Sequence, residues 1–431
     1  MTISTGAVQD VTLENGLHVR LKEIHTAPLI SSWIWYRVGS RNEIPGKTGI
    51  SHWVEHMQFK GTPRYPAGIL DRAISRSGGI WNALTYLDWT TYFETMPSHQ
   101  VELALDLEAD RLANSLFETE EVASERTVVI SERQGHENQP HFRLGEEVQA
   151  AAFRVHSYHH EVIGDQVDLE RMNRDDLYSH YRRYYVPGNA ILVVAGDFST
   201  SGMMDLIEEK FSRIPCSEVP TFESRPEPEQ KGERRVFVEG PGETSFLEIG
   251  YHAPAGSDPD FFPMLVLDSV LAGPSSLNLF GGGISNRTSR LYQALVKGGL
   301  AAGVGGSLSA TIDPFLYTVR ATIRQDRTAE ETLAAFDTEI QRVLSDPLRD
   351  EDIKKAIRQA QALFAYGSES VTNQAFWMGY SEIFADYSWF TDYLDKIEAV
   401  TPEQVLSTAR KYLKPQNRTV GMYFGQDGVP A

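Results

Sequence analysis

Two stretches of the chain repeat one pattern. "HYRRYYVPGNAILVVAG" (180–196) and "ARKYLKPQNRTVGMYFG" (409–425) each predict a helix, a Pro-x-Asn turn and a closing strand. The turn prolines, Pro187 and Pro415, stand about half the chain apart. Between them, "PCSEVPTFESRPEPEQKGER" (215–234) is rich in Pro, Glu and Ser and lacks any apolar period. It is expected to be an exposed linker. At 431 residues the chain also exceeds the size, roughly 250–300 residues, at which a single core stops growing. With the similar order of elements in each half, the repeat argues for two related α+β domains, residues 1–214 and 235–431, joined by the linker 215–234, the alternative being two unrelated α+β domains.

Local patterns fill in the elements. "LHVRLKEI" and "PLISSWIWYRVGS" read as strands, rich in β-branched and aromatic residues. "GISHWVEHMQFKG" predicts a helix, with Ser51 as N-cap and Ile50, Val54 and Met57 as its apolar stripe. "PAGILDRAISRSGG" predicts another, closed by Gly78 and Gly79. "WNALTYLDWTTYFETMP" alternates like a strand pair, and "HQVELALDLEADRLANSLF" and "TEEVASERTVVISERQGHE" predict long helices. Beyond the linker, "RRVFVEG" and "TSFLEIGYHA" predict strands, while "DFFPMLVLDSVLAG" and "SRLYQALVKGG" predict helices.

The net charge of −19 excludes nucleic-acid binding through a basic face. It is compatible with attraction of cationic peptides and equally with plain solubility. One cysteine, Cys216, rules out an intrachain disulfide framework. The N-terminal stretch lacks a basic segment followed by an apolar run, so no cleaved signal is expected. No stretch approaches the roughly 20 apolar residues of a membrane helix. The expectation is a cytoplasmic protein with no membrane partner, the periplasm being left open.

Chemistry concentrates in "GISHWVEHMQFKGT" (49–62), which holds His52-Trp53-Val54-Glu55-His56. On a helix, positions i and i+4 share a face, so the two imidazoles can bind one metal ion. Glu55 lies three residues from His52 and points toward that face, where a carboxylate can take a proton from metal-activated water. The order reverses His-Glu-x-x-His, a pattern known among zinc peptidases. A catalytic zinc site needs a third protein ligand. "ASERTVVISERQGHE" offers Glu125 and Glu132, two helical turns apart on one face; one could ligate and the other orient a ligand.

"LENGLHVRL", "VGSRNE", "GISHWVEHMQFKGT", "SGGIWNALTYLDWTTYFETMP", "ERTVVISE", "VIGDQVDLERM" and "YYVPGNAILVVAGD" occur in an order that resembles the pitrilysin/insulysin family of zinc peptidases. Within it, the chain is similar to the shorter bacterial members that are like mitochondrial processing peptidase. The resemblance is clear over most of residues 10–200 and looser beyond. It implies two homologous α+β domains, each a mixed, mostly antiparallel sheet flanked by helices. The first would be the zinc-binding catalytic domain and the second would lack a metal site. It also implies one Zn2+ per chain, held by His52, His56 and Glu132, because the family spacing selects Glu132 as third ligand. Glu125 then matches the supporting glutamate and Glu55 the general base. Substrate is implied to lie extended against an edge strand, "NALTY", with Asn82, Ala83 and Leu84 in contact.

The resemblance breaks in the second half. The family pattern "Leu-Arg-Glu-x-x-Gly-Leu-Ala-Tyr" brings an arginine and a tyrosine to the active site. Here the matching stretch is "LVKGGLAAG", with Val296 and Ala302 at those places. Neither can polarise a carbonyl. The expected function is thus a zinc metalloendopeptidase acting on unfolded peptides or small protein segments. It would be the catalytic subunit of a heterodimer whose homologous, non-zinc subunit supplies Arg and Tyr. The alternatives are a self-sufficient homodimeric peptidase and a non-catalytic assembly subunit of a respiratory-type complex.

Three other stretches carry weaker signals. "RVHSYHHEVIG" brings His156, His159 and His160 together, but a solvated loop is expected there. "LFGGGISNRTSR" is no phosphate loop, since no Lys-Ser/Thr follows its glycines. In the processing-peptidase branch a glycine-rich stretch near this place contacts substrate, which would give Gly281, Gly282 and Gly283 that role. Cys216 falls in the linker, where nucleophile chemistry is not expected.

Overall fold

The computed structural model describes residues 8–278, 284–346 and 348–426. Gly281, Gly282 and Gly283, the candidate substrate-contacting glycines, lie outside them. The chain forms two compact units. The first takes residues up to Arg133, His160–Ser224 and Ser368–Ile383. The second takes Gln134–His159, Arg225–Gly367 and the residues from Phe384 on. The units therefore depart from a simple division at the linker, because each takes a helical segment from the other half of the sequence.

The first unit is built on a six-stranded sheet in the order β1-β2-β6-β3-β5-β4, with β1 Val8–Thr12, β2 His18–Glu23, β3 Leu29–Tyr36, β4 Ile80–Thr85, β5 Thr90–Pro97 and β6 Ala190–Gly196. Only β2 and β6 run parallel. β6, "AILVVAG", is buried along its whole length, as its unbroken apolar run requires of a central strand. β3 alternates: Ile34 and Tyr36 face a core also built from helices α1 Ile50–Met57, α3 Val101–Asn114 and α4 Thr119–Glu137, whereas α2 Ile69–Arg76 precedes β4. Trp33 and Trp35 face the other way and meet Phe376 and Tyr380, from helix Val371–Phe384 of the borrowed segment.

The second unit has a five-stranded sheet in the order β7-β11-β8-β10-β9, with β7 Arg234–Gly240, β8 Phe246–His252, β9 Ala301–Ser307, β10 Leu316–Ile323 and β11 Arg418–Gly425. Again one neighbouring pair, β7 and β11, is parallel and the rest are antiparallel. Strand for strand this repeats β2-β6-β3-β5-β4, which is the fold class expected from the sequence echo. α5 Pro140–Ala152, encoded before the linker, covers this sheet: Leu144 and Val148 pack with Tyr423, and a side chain at Gly421 would collide with Val148.

The echo itself has a hydrogen-bond basis. Pro187–Asn189 and Pro415–Asn417 are both 3-10 turns leading into the closing strands β6 and β11. Asn189 Nδ2 donates to Tyr184 O at 2.9 Å, and Asn417 Nδ2 donates to Tyr412 O at 2.8 Å. In each unit the asparagine satisfies a carbonyl left over at the end of the preceding helix. Three local expectations change. Ser51 is not the N-cap of α1, since Gly49 takes that place in a left-handed conformation and Ser51 is buried inside the first turn. "SRLYQALVKGG" forms a π-helical turn, Tyr292–Lys297, rather than an α-helix. His156 and His160 are buried and hydrogen-bonded, not solvated: His156 Nε2 lies 3.1 Å from Asp313, and His160 Nε2 lies 2.8 Å from Glu43. Among the described residues, no helix is long and apolar enough to cross a membrane.

Candidate metal centre

Two helices of the first unit supply the site. α1 is anchored by Trp53, Val54 and Met57, all fully buried in the core, with the Arg126 guanidinium 5.5 Å from the Trp53 ring. That anchoring turns His52 and His56 toward the rim, where their ring centroids are 4.7 Å apart, as i,i+4 neighbours on one face should be. α4 runs past them with Val122 and Val129 buried. Glu125 and Glu132, two turns apart, come to different depths: Glu125 is 4% exposed, whereas the Glu132 side chain is 36% exposed.

Glu132 Oε2 is 3.5 Å from His56 Nε2 and 3.8 Å from His52 Nε2. Among the described residues these three form the one group with ligand atoms all within 4.8 Å of one another. A tetrahedral ion with bonds near 2.05 Å holds neighbouring ligand atoms about 3.3 Å apart. The two separations to Glu132 exceed that by a few tenths of an ångström and all three ligand atoms lie within 4.8 Å of one another, so the donor set fits such an ion once the side chains draw inward. The other nitrogen of His56 is already committed. Its Nδ1 lies 2.8 Å from Glu125 Oε1, and Lys60 pairs with the second oxygen of Glu125. This carboxylate–imidazole arrangement fixes the ring and leaves Nε2 for a metal.

The electrostatics follow from the packing. Burial opposes charge on His56, but hydrogen bonds to Glu125 and Glu132 outweigh it and raise the imidazole to about 9. Burial tends to raise Glu125, and its bonds to His56 and Lys60 hold it below the ordinary carboxylate value. Glu55, 8% exposed, is pushed up to about 7, chiefly by burial, while a hydrogen bond from Thr85 (2.5 Å) and the charge of His56 pull the other way. A carboxylate poised there can both take and give a proton near neutral pH.

Thr85 ends β4, the strand that carries Asn82, Ala83 and Leu84. β4 is the last strand of its sheet and pairs with β5 alone among the described strands. Asn82 is exposed, Ala83 buried and Leu84 half-buried. Ala83 N–H donates to Asn82 Oδ1 at 2.9 Å, so the asparagine occupies a backbone donor that an added strand could take. Thr85 and Lys60 were not singled out from the sequence. Lys60 lies in the turn just beyond the end of α1, so helix spacing does not place it; nothing in the pattern of "NALTY" marks Thr85 as a partner of Glu55. Val296 lies in the π-helical turn and Ala302 is exposed on β9, both in the second unit.

Known proteins give the same reading of the family. The family model described as insulinase (peptidase family M16) matches residues 18–166, and one described as the peptidase M16 inactive domain matches 171–360. A zinc protease of Streptomyces coelicolor is 27% identical over 427 residues, covering 96% of this chain and 90% of that protein. The mitochondrial-processing peptidase subunit beta of Lentinula edodes is 26% identical over 423 residues, covering 97% and 90%. The crystal structure of a protease from Helicobacter pylori superposes with a TM-score of 0.90 at 26% identity, covering 97% of this chain and 99% of that one. With two models of one family matched in chain order and relatives aligned along nearly its whole length, the chain belongs to peptidase family M16.

Proposed function

We propose that this protein is a zinc-dependent endopeptidase acting on extended peptides or small protein segments. The observation that carries the reading is the convergence of His52, His56 and Glu132, with the buried carboxyl of Glu55 beside them. His52, His56 and Glu132 would hold the ion, and Glu125 orients His56. When bound, zinc supplies a Lewis acid and a water acidic enough to react near neutral pH. Glu55 accepts the proton of the attacking water at its carboxylate and returns it to the leaving nitrogen. Thr85 holds one oxygen of Glu55, which fixes the direction of the other. The edge of β4, at Asn82, Ala83 and Leu84, would bind the peptide backbone as an added strand. The second domain contributes no metal ligands on this reading.

Val296 and Ala302 carry neither charge nor a side-chain hydrogen bond. A second, homologous subunit bearing Arg and Tyr there would complete carbonyl polarisation, and the likeness to a processing-peptidase beta subunit supports that assembly. The test is zinc content together with cleavage of an unstructured peptide, measured for the pure chain with and without such a subunit. About one zinc per chain, weak cleavage alone and strong cleavage with the partner is the expected result. A chain that binds no zinc would sink the reading, and one fully active alone would sink the heterodimer.

A further inference from the structure

α1, the helix that carries His52, Glu55 and His56, has no side-chain cap from its own N-cap residue, because Gly49 occupies that position with φ 83°. Glu43 takes its first amides instead. Oε2 accepts from Gly49 N–H and Oε1 from Ser51 N–H, each at 2.8 Å. His160 Nε2 lies 2.8 Å from the same Oε2. Glu43 and His160 are each 5% exposed. Burial works against a charged imidazole, yet the Glu43 carboxylate holds His160 above its ordinary value.

The surrounding bonds close on the same point. Thr48 donates from its N–H and its hydroxyl to Asp168 Oδ2, at 3.0 and 2.8 Å, and Ser51 Oγ donates to Gly39 O at 3.1 Å. Gly164 presses on the turn so closely that a Cβ there would sit 2.3 Å from Gly49 N. Gly164 O in turn accepts from Arg133, the neighbour of Glu132, at 2.6 Å. The segments "VGSRNE" and "VIGDQVDLERM", remote in sequence, thus meet at the start of one helix and touch the other.

A carboxylate that grips two amides of a first turn fixes both the axis of the helix and its rotation about that axis. Side-chain tips stand about 5–6 Å from a helix axis, so a 10° rotation moves them about 1 Å. A displacement of that size at a catalytic group can cost roughly 100-fold in rate. We propose that Glu43, held by His160, is a positioning residue that acts through α1 and sets the rotation bringing His52 and His56 to Glu132. The role rests on the metallopeptidase reading above, whereas the grip itself is independent of it.

The test uses the full chain loaded with Co2+, whose visible absorption reports ligand geometry, together with steady-state cleavage of a peptide. Glu43→Gln keeps the size but replaces one acceptor by an NH2 that faces an N–H. Its cobalt band is expected to shift and weaken, with kcat down roughly 10–100-fold and KM within about twofold. His160→Gln keeps a donor toward Glu43 and should fall between this variant and the wild type. A residue that merely stabilised the fold would leave the cobalt spectrum of the folded protein unchanged. If Glu43→Gln does not fold, His160→Gln carries the test by the same two measurements. A folded variant with wild-type spectrum and kcat overturns the role alone; a wild-type chain that takes up no cobalt overturns the metal reading and this role with it.

Discussion

At the proposed metal site Glu125 would act on metal binding in two opposite ways, and Glu125→Gln separates them. Its carboxylate lies 2.8 Å from His56 Nδ1, which keeps Nε2 facing Glu132. Losing such an orienting carboxylate costs roughly 10–100-fold in metal affinity, about 1.4–2.7 kcal/mol. The same hydrogen bond is the largest contribution raising His56, which reaches about 9 against the opposition of burial. A metal that binds at pH 7 must displace that proton across two pH units, at about 2.7 kcal/mol. The sign follows: below about 9 the metal-free site is stabilised by its proton, and above 9 that competition is gone. Glutamine keeps a carbonyl for Nδ1–H but removes the charge, so part of the proton competition disappears at pH 7 and offsets the lost orientation. Chelator competition should therefore give a ratio of variant to wild-type zinc dissociation constants of roughly 10–100 at pH 9.5, and several-fold less at pH 7. An equal ratio at both values refutes the reasoning, as does a loss matching that of Glu132→Gln.

His56→Ala or Glu132→Ala should leave a folded chain, by circular dichroism, with its zinc lost by elemental analysis, because each removes one of three ligands. Glu55→Gln should keep the zinc and lower kcat for peptide cleavage by roughly 10²–10⁴-fold; zinc loss in that variant would make Glu55 a ligand rather than a base. Val296→Arg with Ala302→Tyr should raise the activity of the single chain less than a homologous subunit bearing Arg and Tyr does, and full rescue by the double variant would remove the case for a partner. His180, buried against Ser51, is held down to about 3 by burial and then by Arg183 and Lys47, against 6.5 when unfolded. The unfolded chain binds the extra proton, so stability should fall by about 1.4 kcal/mol per pH unit as pH drops from about 6.5 toward 3. Denaturant unfolding of His180→Phe should lack that slope.

What could be read from the sequence was whatever depends on local periodicity. The i,i+4 histidines, the two-turn spacing of Glu125 and Glu132, the alternating strand pair ending in β5 and the Pro-x-Asn turns each obey a rule that spans a few residues. The division into units was not of that kind. α5 reads as an ordinary amphipathic helix, and nothing in "PHFRLGEEVQAAA" tells which sheet Leu144 and Val148 will cover. The solvated loop expected around His156 and His160 failed for a related reason. A histidine-rich run between helices has the composition of a solvated loop, and only the fold brings Glu43 to His160 and Asp313 to His156. Ser51 failed because a side-chain cap is the usual device at a helix start, whereas here Gly49 makes a turn that lets Gly164 approach and Glu43 reach the amides. The residues of the proposed metal site are thus of two sorts. Of those that would touch the ion, His52 and His56 share one face of α1, and Glu132 comes from a second helix, α4. Glu125 apart, those proposed to aim them arrive from Gly39, Glu43, His160, Gly164 and Asp168, so their purpose is legible only once the chain has brought them to the start of α1.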